Sequence, residues 1–212
     1  MPGAVDVRVL IACEESQVVT KAFRAVDIEA WSCDLQPCSG GYPQWHIQGD
    51  VLDVIDDYWD MMIGHPECRY LCLSGARWYG DDRYPDREQD FEQAVTFFQA
   101  LQNAPIDKIC LENSQPLGRT IQRVGRYDQC VQPWMLGEPY TKGAYLWLKS
   151  LPPLITTHTE YDYDVIYADA HQQAPSPERS KLRAKTYPCI AEAMAMQWGL
   201  GIEPEWKDGL FA

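Results

Sequence analysis

Hydrophobic positions along the chain fall into short blocks of two kinds. In "DVRVLIAC" (6–13), "EAWSCDL" (29–35), "YWDMMIG" (58–64) and "DKICLEN" (107–113) apolar residues run with little interruption, as in strands buried on both faces of a sheet. Between them, "SQVVTKAFRAV" (16–26) places Val18, Val19, Ala22 and Phe23 at helical spacing, with Ser16 as the expected N-cap. "REQDFEQAVTFFQALQNA" (87–104) carries an apolar stripe at 91, 94, 95, 98 and 101 and is expected to be the longest helix. The Gly/Pro/Ser-rich stretch "QPCSGGYPQW" is a loop, and "HIQGDVLDV" after it reads as a short strand and turn.

Strands alternating with helices predict an α/β fold with a mostly parallel sheet and flanking helices, in which ligands bind at the carboxyl ends of the strands. Asp34, Asp50, Cys68 and Glu112 all fall at or just past such ends. Beyond residue 114 the pattern is less regular. "YDQCVQPWML" and "AYLWLKSL" read as strands turned by "GEPYTKG", and residues 152–180 read as one long irregular loop. Pro188 then opens an amphipathic helix in "PCIAEAMAMQWGLG" (188–201) that Gly199 or Gly201 would end. Residues 1–212 are expected to form a single domain.

At 46% hydrophobic and 23% charged residues, the composition is that of an ordinary globular domain, favouring neither disorder nor a membrane span. The first residues lack the basic region and apolar stretch of a signal peptide, so the eight cysteines are expected to be free thiols in a reducing cytoplasm. A formal charge of −13 opposes indiscriminate binding to phosphate backbones. Basic residues nonetheless cluster as Arg119, Arg123 and Arg126, and as Arg179, Lys181, Arg183 and Lys185, two candidate phosphate-contacting faces.

The stretch "HPECRYLC" (65–72) concentrates the candidate chemistry. Cys68 reads as a nucleophile, as part of a zinc site with His65 and Cys72, or as a buried inert thiol; the loose H-x2-C-x3-C spacing argues against zinc. Cys13, Cys33, Cys110 and Cys130 read as small core residues, as do Trp134, Trp147 and Trp198 and the Met194/Met196 helix.

In order along the chain, "VLIACEESQ", "WSCDL", "IQGDV", "WDMMIGHPECRYLC", "ICLEN", "QPWMLG…TKGAYLWLKSLPPL" and "RSKLRAKTYPCIAEAMAMQWG" resemble the carbon-5 cytosine methyltransferases, especially their small phage-type members. The resemblance implies a Rossmann-like fold that uses S-adenosylmethionine, with DNA or a cytosine nucleotide as substrate and the cytoplasm, a host's if phage-encoded, as location. It makes Cys68 the thiolate that adds to carbon 6 of the ring and so renders carbon 5 nucleophilic. Glu112 would hold or protonate the ring near N3, and Asn113 would fix the loop or touch substrate. Cofactor contacts would come from Cys13, Glu14, Glu15 and Ser16, with Glu14 or Glu15 near the amino acid part, and from His65 and Pro66. Asp34 would meet the ribose, Asp50 the adenine amine, and Trp31, Leu35 or Val51 would pack on the adenine. Arg126 and Lys142 are the candidates for the family's substrate-contacting basic motif.

Three features depart from the family's pattern, one being that "CEESQ" replaces the glycine-rich first motif and Glu112-Asn113-Ser114 the usual Glu-Asn-Val. The loop reads Pro66-Glu67-Cys68 where the family usually has Pro-Pro-Cys, which makes Glu67 a candidate catalytic residue or a hindrance. A carboxylate about 4 Å from the sulfur would disfavour the thiolate by about 1 to 4 kcal/mol, which is the ground for an alternative in which the chain is a degraded cofactor-binding protein that engages a protein partner. The chain also has no room for the large members' target-recognition domain, which points to DNA modified with little specificity or to a free cytosine nucleotide.

Overall fold

The computed structural model describes residues 7–160 and 185–203. Seven strands among them form one sheet in the order β3-β2-β1-β4-β5-β7-β6. These are β1 (Arg8–Ala12), β2 (Glu29–Asp34), β3 (His46–Gln48), β4 (Met61–Gly64), β5 (Lys108–Asn113), β6 (Gln129–Val131) and β7 (Ala144–Lys149). The first five run parallel, and β7 is antiparallel to both β5 and β6. The expected mostly parallel α/β sheet is therefore present. Its order matches that of a doubly wound dinucleotide fold as far as β5, then departs where β7 inserts between β5 and β6.

Each central strand is apolar throughout because both of its faces are covered. Val9 and Ile11 point to one side, against α1 (Val18–Ala25) and α4 (Pro188–Met194); Leu10 and Ala12 point to the other, against α2 (Arg87–Gln102). The predicted stripe of α2 is its buried face: Phe91, Val95, Phe98 and Leu101 are each at most 1% exposed. α3 (Gly118–Val124) follows β5 and packs beside α2.

Several boundaries differ from the sequence reading. In "YWDMMIG" only the last four residues are strand, because Tyr58 takes a left-handed φ of 58° and is 91% exposed. β6 stops at Val131 because Pro133 cannot donate a ladder hydrogen bond and opens a 3-10 turn instead. α4 ends at Met194 and continues as a π turn over Ala195–Gly199, leaving Met196 37% exposed while Met194 is buried. Cys13 lies just past β1 with φ 59°, while Cys33 and Cys110 are buried in strands and all three tryptophans named above are buried. Of the 152–180 loop, the described part through 160 has no regular element; the rest lies outside the described residues. Among the described residues no helix is long and apolar enough to cross a membrane.

Candidate active site

The strand order reverses between β1 and β4, and the loops leaving these two strands open the crevice where doubly wound folds bind ligands. The first loop, after β1, is shaped by a buried carboxylate. Glu14, 5% exposed, accepts hydrogen bonds from the backbone N–H of Val19 (2.7 Å) and Thr20 (3.2 Å) and from the Thr20 hydroxyl (2.7 Å). It thus closes the N-terminus of α1, a role the sequence assigned to Ser16; α1 starts only at Val18, after Gln17 in a left-handed φ of 56°. The Gln17 side chain clamps the 35–45 loop, donating to the Tyr42 carbonyl at 2.9 Å and accepting from the Tyr42 N–H at 3.1 Å. That loop comes so close that a Cβ on Gly40 would run into Gln17 and the Ser16 carbonyl. Glu15 and Ser16 are half-buried on the same loop, and the Glu15 carbonyl accepts from Ser39 N–H.

Asp34 ends β2 and receives the Gln36 N–H at 2.8 Å, while Asp50 caps the turn Val51–Asp53 through the Leu52 N–H at 3.0 Å. Both carboxylates act on the thiols between them. Cys13 is pushed up by burial and then by the charge of Asp34, and Cys33 is pushed up to about 11 for the same reasons. Of the apolar candidates nearby, Val51 is core, Trp31 lies against the Arg24 guanidinium, and Leu35 stands 73% exposed at the strand end.

The second loop follows β4. Parallel pairing sets Gly64 opposite Leu111, so the next residues, His65 and Glu112, stand side by side. His65 Nδ1 lies 3.0 Å from Glu112 Oε2, with both side chains nearly buried at 10% and 12% exposure. Asn113 donates from Nδ2 to the Pro66 carbonyl at 3.0 Å, tying the strand end to the cysteine loop. Further along, Leu73 N–H bonds the Gln115 carbonyl and Leu117 N–H bonds the Leu71 carbonyl, so the loops after β4 and β5 form a small ladder of their own. Arg87, 5% exposed, completes the frame: its guanidinium donates to the carbonyls of Arg69 (2.6 Å) and Gly75 (3.1 Å) between the rings of Tyr70 and Tyr79. Gly75 has no room for a side chain there, since a Cβ would meet the Arg69 carbonyl.

Burial alone would lower the His65 pKa, but the hydrogen bond and charge of Glu112, with Glu14 further off, raise it above its ordinary 6.5. For Glu112 burial pulls upward, and His65, with Lys142 beyond, reverses this and holds the carboxyl below its ordinary 4.5. Each partner thus favours the charged form of the other.

Cys68 and Cys72 are coupled. Cys68 is pushed up by the hydrogen bond it gives Cys72 and by burial, against the Ser114 hydroxyl; Cys72 is pushed down to about 6 by that bond, with Ser74 and the Gly75 N–H adding to it. The first proton to leave this pair comes off below the ordinary thiol value, because the charged sulfur is solvated by the other's S–H and by hydroxyls. Glu67 turns outward: it pairs with Arg69 at 3.1 Å, and both side chains are more than half exposed. His65 and Cys72 thus each touch a candidate catalytic group, His65 through Glu112 and Cys72 through Cys68. No group of three or more metal-ligating side chains forms among the described residues.

Lys142 reaches the same end of the sheet from the loop before β7, where its charge acts on both His65 and Glu112 and its Nζ donates to the Lys185 carbonyl at 2.7 Å. Arg126 is not brought there. It is exposed beside Tyr127 ahead of β6, which starts at the level of Glu112 and runs parallel to β5, so Arg126 lies toward the opposite edge. The Arg119/Arg123 face is not a free basic groove: Arg119 pairs with Glu88 at 2.6 Å and Arg123 with Glu92 at 2.6 Å, both acids on α2. Arg179, Lys181 and Arg183 lie outside the described residues, and Lys185 is exposed. Sequence reasoning missed the helix-capping role of Glu14 and the framing role of Arg87. Val19 and Thr20 following Glu14 offered a faint signal for the first; nothing set Arg87 apart from other charged residues at a helix start.

No family model and no curated protein matches this chain. Among solved structures it is similar to a protein of E. coli described as a DNA modification methyltransferase encoded within a prophage, at 17% identity and TM-score 0.43, over 67% of this chain and 46% of that one. It is also similar to the methyltransferase EhMeth of Entamoeba histolytica, at 13% identity and TM-score 0.46, over 69% of this chain and 54% of that one. The chain thus spans about half the length of the structures it matches.

Proposed function

We propose that this protein transfers a methyl group from S-adenosylmethionine to carbon 5 of a cytosine in DNA, with Cys68 as nucleophile and Glu112 at the ring. One observation carries the reading: the cysteine loop after β4 and the Glu112-Asn113 end of β5 are fastened together beside the switch point of the sheet, through Asn113 to Pro66, His65 to Glu112 and the ladder beyond. A thiol and a carboxylate held on adjacent loops are what addition to carbon 6 and stabilisation at N3 require.

The cofactor fits the first loop by its charge. Dinucleotide folds place a pyrophosphate at the helix N-terminus after β1, and here Glu14 already holds those N–H groups, so an anion is repelled. S-adenosylmethionine has no pyrophosphate and supplies an electrophilic methyl group on a sulfonium. Asp34 would take its ribose hydroxyls, Leu35 and Asp50 its adenine, and Glu15, Ser16 and the Pro66 turn the remainder, with Glu14 kept as the helix cap.

A second reading, methylation of a free cytosine nucleotide, is favoured by the pairing of Arg119 and Arg123 with acids on an already acidic chain. The outward turn of Glu67 removes the ground for a degraded binding protein. Incubation with methyl-labelled cofactor and, separately, duplex DNA, single-stranded DNA, RNA and cytosine mononucleotides decides among these. Label is expected in DNA and is expected to disappear with Cys68→Ser; label only in mononucleotides selects the second reading. Cofactor binding without label anywhere refutes both.

A further inference from the structure

His65 carries two features that the proposed roles of Cys68 and Glu112 leave unexplained. Its Nδ1 is held at 3.0 Å by Glu112, and its Nε2 is buried with no hydrogen-bond partner among the described residues. A buried ring nitrogen left without a partner costs stability and marks a group kept for something other than packing. An apolar residue would fill the space between β4 and β5 more favourably if filling were all it did.

We propose that His65 is the proton store of the site: a positioning residue whose Nδ1–H supplies, through Glu112, the proton that ring N3 gains when Cys68 adds to carbon 6. The inference rests on the cytosine reading above. Glu112 is held toward the carboxylate and lacks a proton of its own to give, whereas His65, 3.0 Å away, is held toward the imidazolium by that same carboxylate. In the addition step the sulfur–carbon 6 bond forms, the electron pair of the 5,6 double bond moves through carbon 4 to N3, and N3 takes a proton from Glu112. That proton comes to Glu112 from Nδ1 of His65 in the same step, so the carboxylate is unchanged and His65 ends neutral with its remaining hydrogen on Nε2. When the thiolate leaves, the proton returns along the same path. The groups facing this exchange are Glu112 on β5, Glu14 after β1 and Lys142 before β7; the two acids favour a charged His65 and the lysine opposes it.

Addition alone makes carbon 5 exchange its hydrogen with solvent, so the step can be read in D2O as loss of the H5 signal of a cytosine oligonucleotide or of deoxycytidine monophosphate. Wild-type exchange is expected to fall as pH rises through the His65 value. His65→Asn, which keeps a donor to Glu112 but no titrating proton, is expected to exchange about 100-fold more slowly at pH 7. Its optimum is expected to move to acid pH, where the carboxylate takes its proton from solvent. An unchanged rate and profile in His65→Asn would overturn the proposal. In nitrogen-labelled protein, His65 is expected to be an imidazolium through neutral pH and to lose that state in Glu112→Gln; a neutral His65 in the wild type at pH 6 overturns the proposal without any substrate. Absence of H5 exchange in the wild type overturns the cytosine reading itself, a result distinct from a working wild type matched by His65→Asn.

Discussion

Two neighbours of Cys68 bear on its reactivity in opposite ways to those their types suggest. Glu67, adjacent in sequence and negatively charged, points to solvent in an exposed pair with Arg69, where water screens most of its field. Cys72, four residues on and neutral by default, is the group whose hydrogen bond decides where the charge sits. Glu67→Gln is therefore expected to change alkylation of Cys68 at pH 7 by no more than about threefold, within the range of exposed pairs. Cys72→Ala removes the hydrogen bond and the charge that push Cys68 up and leaves mainly burial against its thiolate, so that alkylation is expected to speed up by about tenfold. Iodoacetamide labelling followed by mass mapping of residue 68 measures both.

At the scale of elements, the loops of the site are held by single buried polar side chains rather than by apolar packing. Glu14 closes α1, and its replacement by Ala frees two N–H groups and a hydroxyl; a loss of about 1 to 2 kcal/mol is expected in denaturant unfolding. Arg87 holds the cysteine loop through two carbonyls, so Arg87→Ala is expected to cost about 1.5 to 3 kcal/mol and to speed amide exchange in residues 69–79. These anchors also mark where the sequence was hard to read. The apolar stripe of α2 was legible at 91, 95, 98 and 101, where burial and periodicity coincide, with Ala94 half-buried beside them. Ser16 was chosen as a cap because its residue type is common there, whereas Glu14 reaches the same N–H groups from four residues before the helix, through a turn that only the left-handed Cys13 and Gln17 permit.

For the whole molecule, the His65–Glu112 pair links stability to pH with a sign that can be worked out. His65 is raised in the fold, so its contribution is complete below its ordinary 6.5 and is lost as pH rises through the raised value. Glu112 is lowered, so its contribution is complete above its ordinary 4.5 and is lost as pH falls through the lowered value. The stability difference between wild type and Glu112→Gln, followed by urea unfolding across pH, is expected to be greatest between 4.5 and 6.5 and to shrink on both sides. What the sequence by itself determined was the local and the periodic: apolar runs for the buried strands, the stripe of α2, and the placing of Asp34, Asp50, Cys68 and Glu112 at strand ends. These follow from hydrophobic burial, which each residue carries in its own side chain. Only the tertiary structure decided which ends meet. The register of β4 on β5 set His65 against Glu112, the crossing loops set Cys68 near Cys72 and Ser114, the α2 glutamates met the arginines of α3, and the direction of β6 carried Arg126 away. Apart from Cys68 and Cys72, such pairings join residues 31 to 47 positions apart, at distances of a few ångströms that no pattern along the chain encodes.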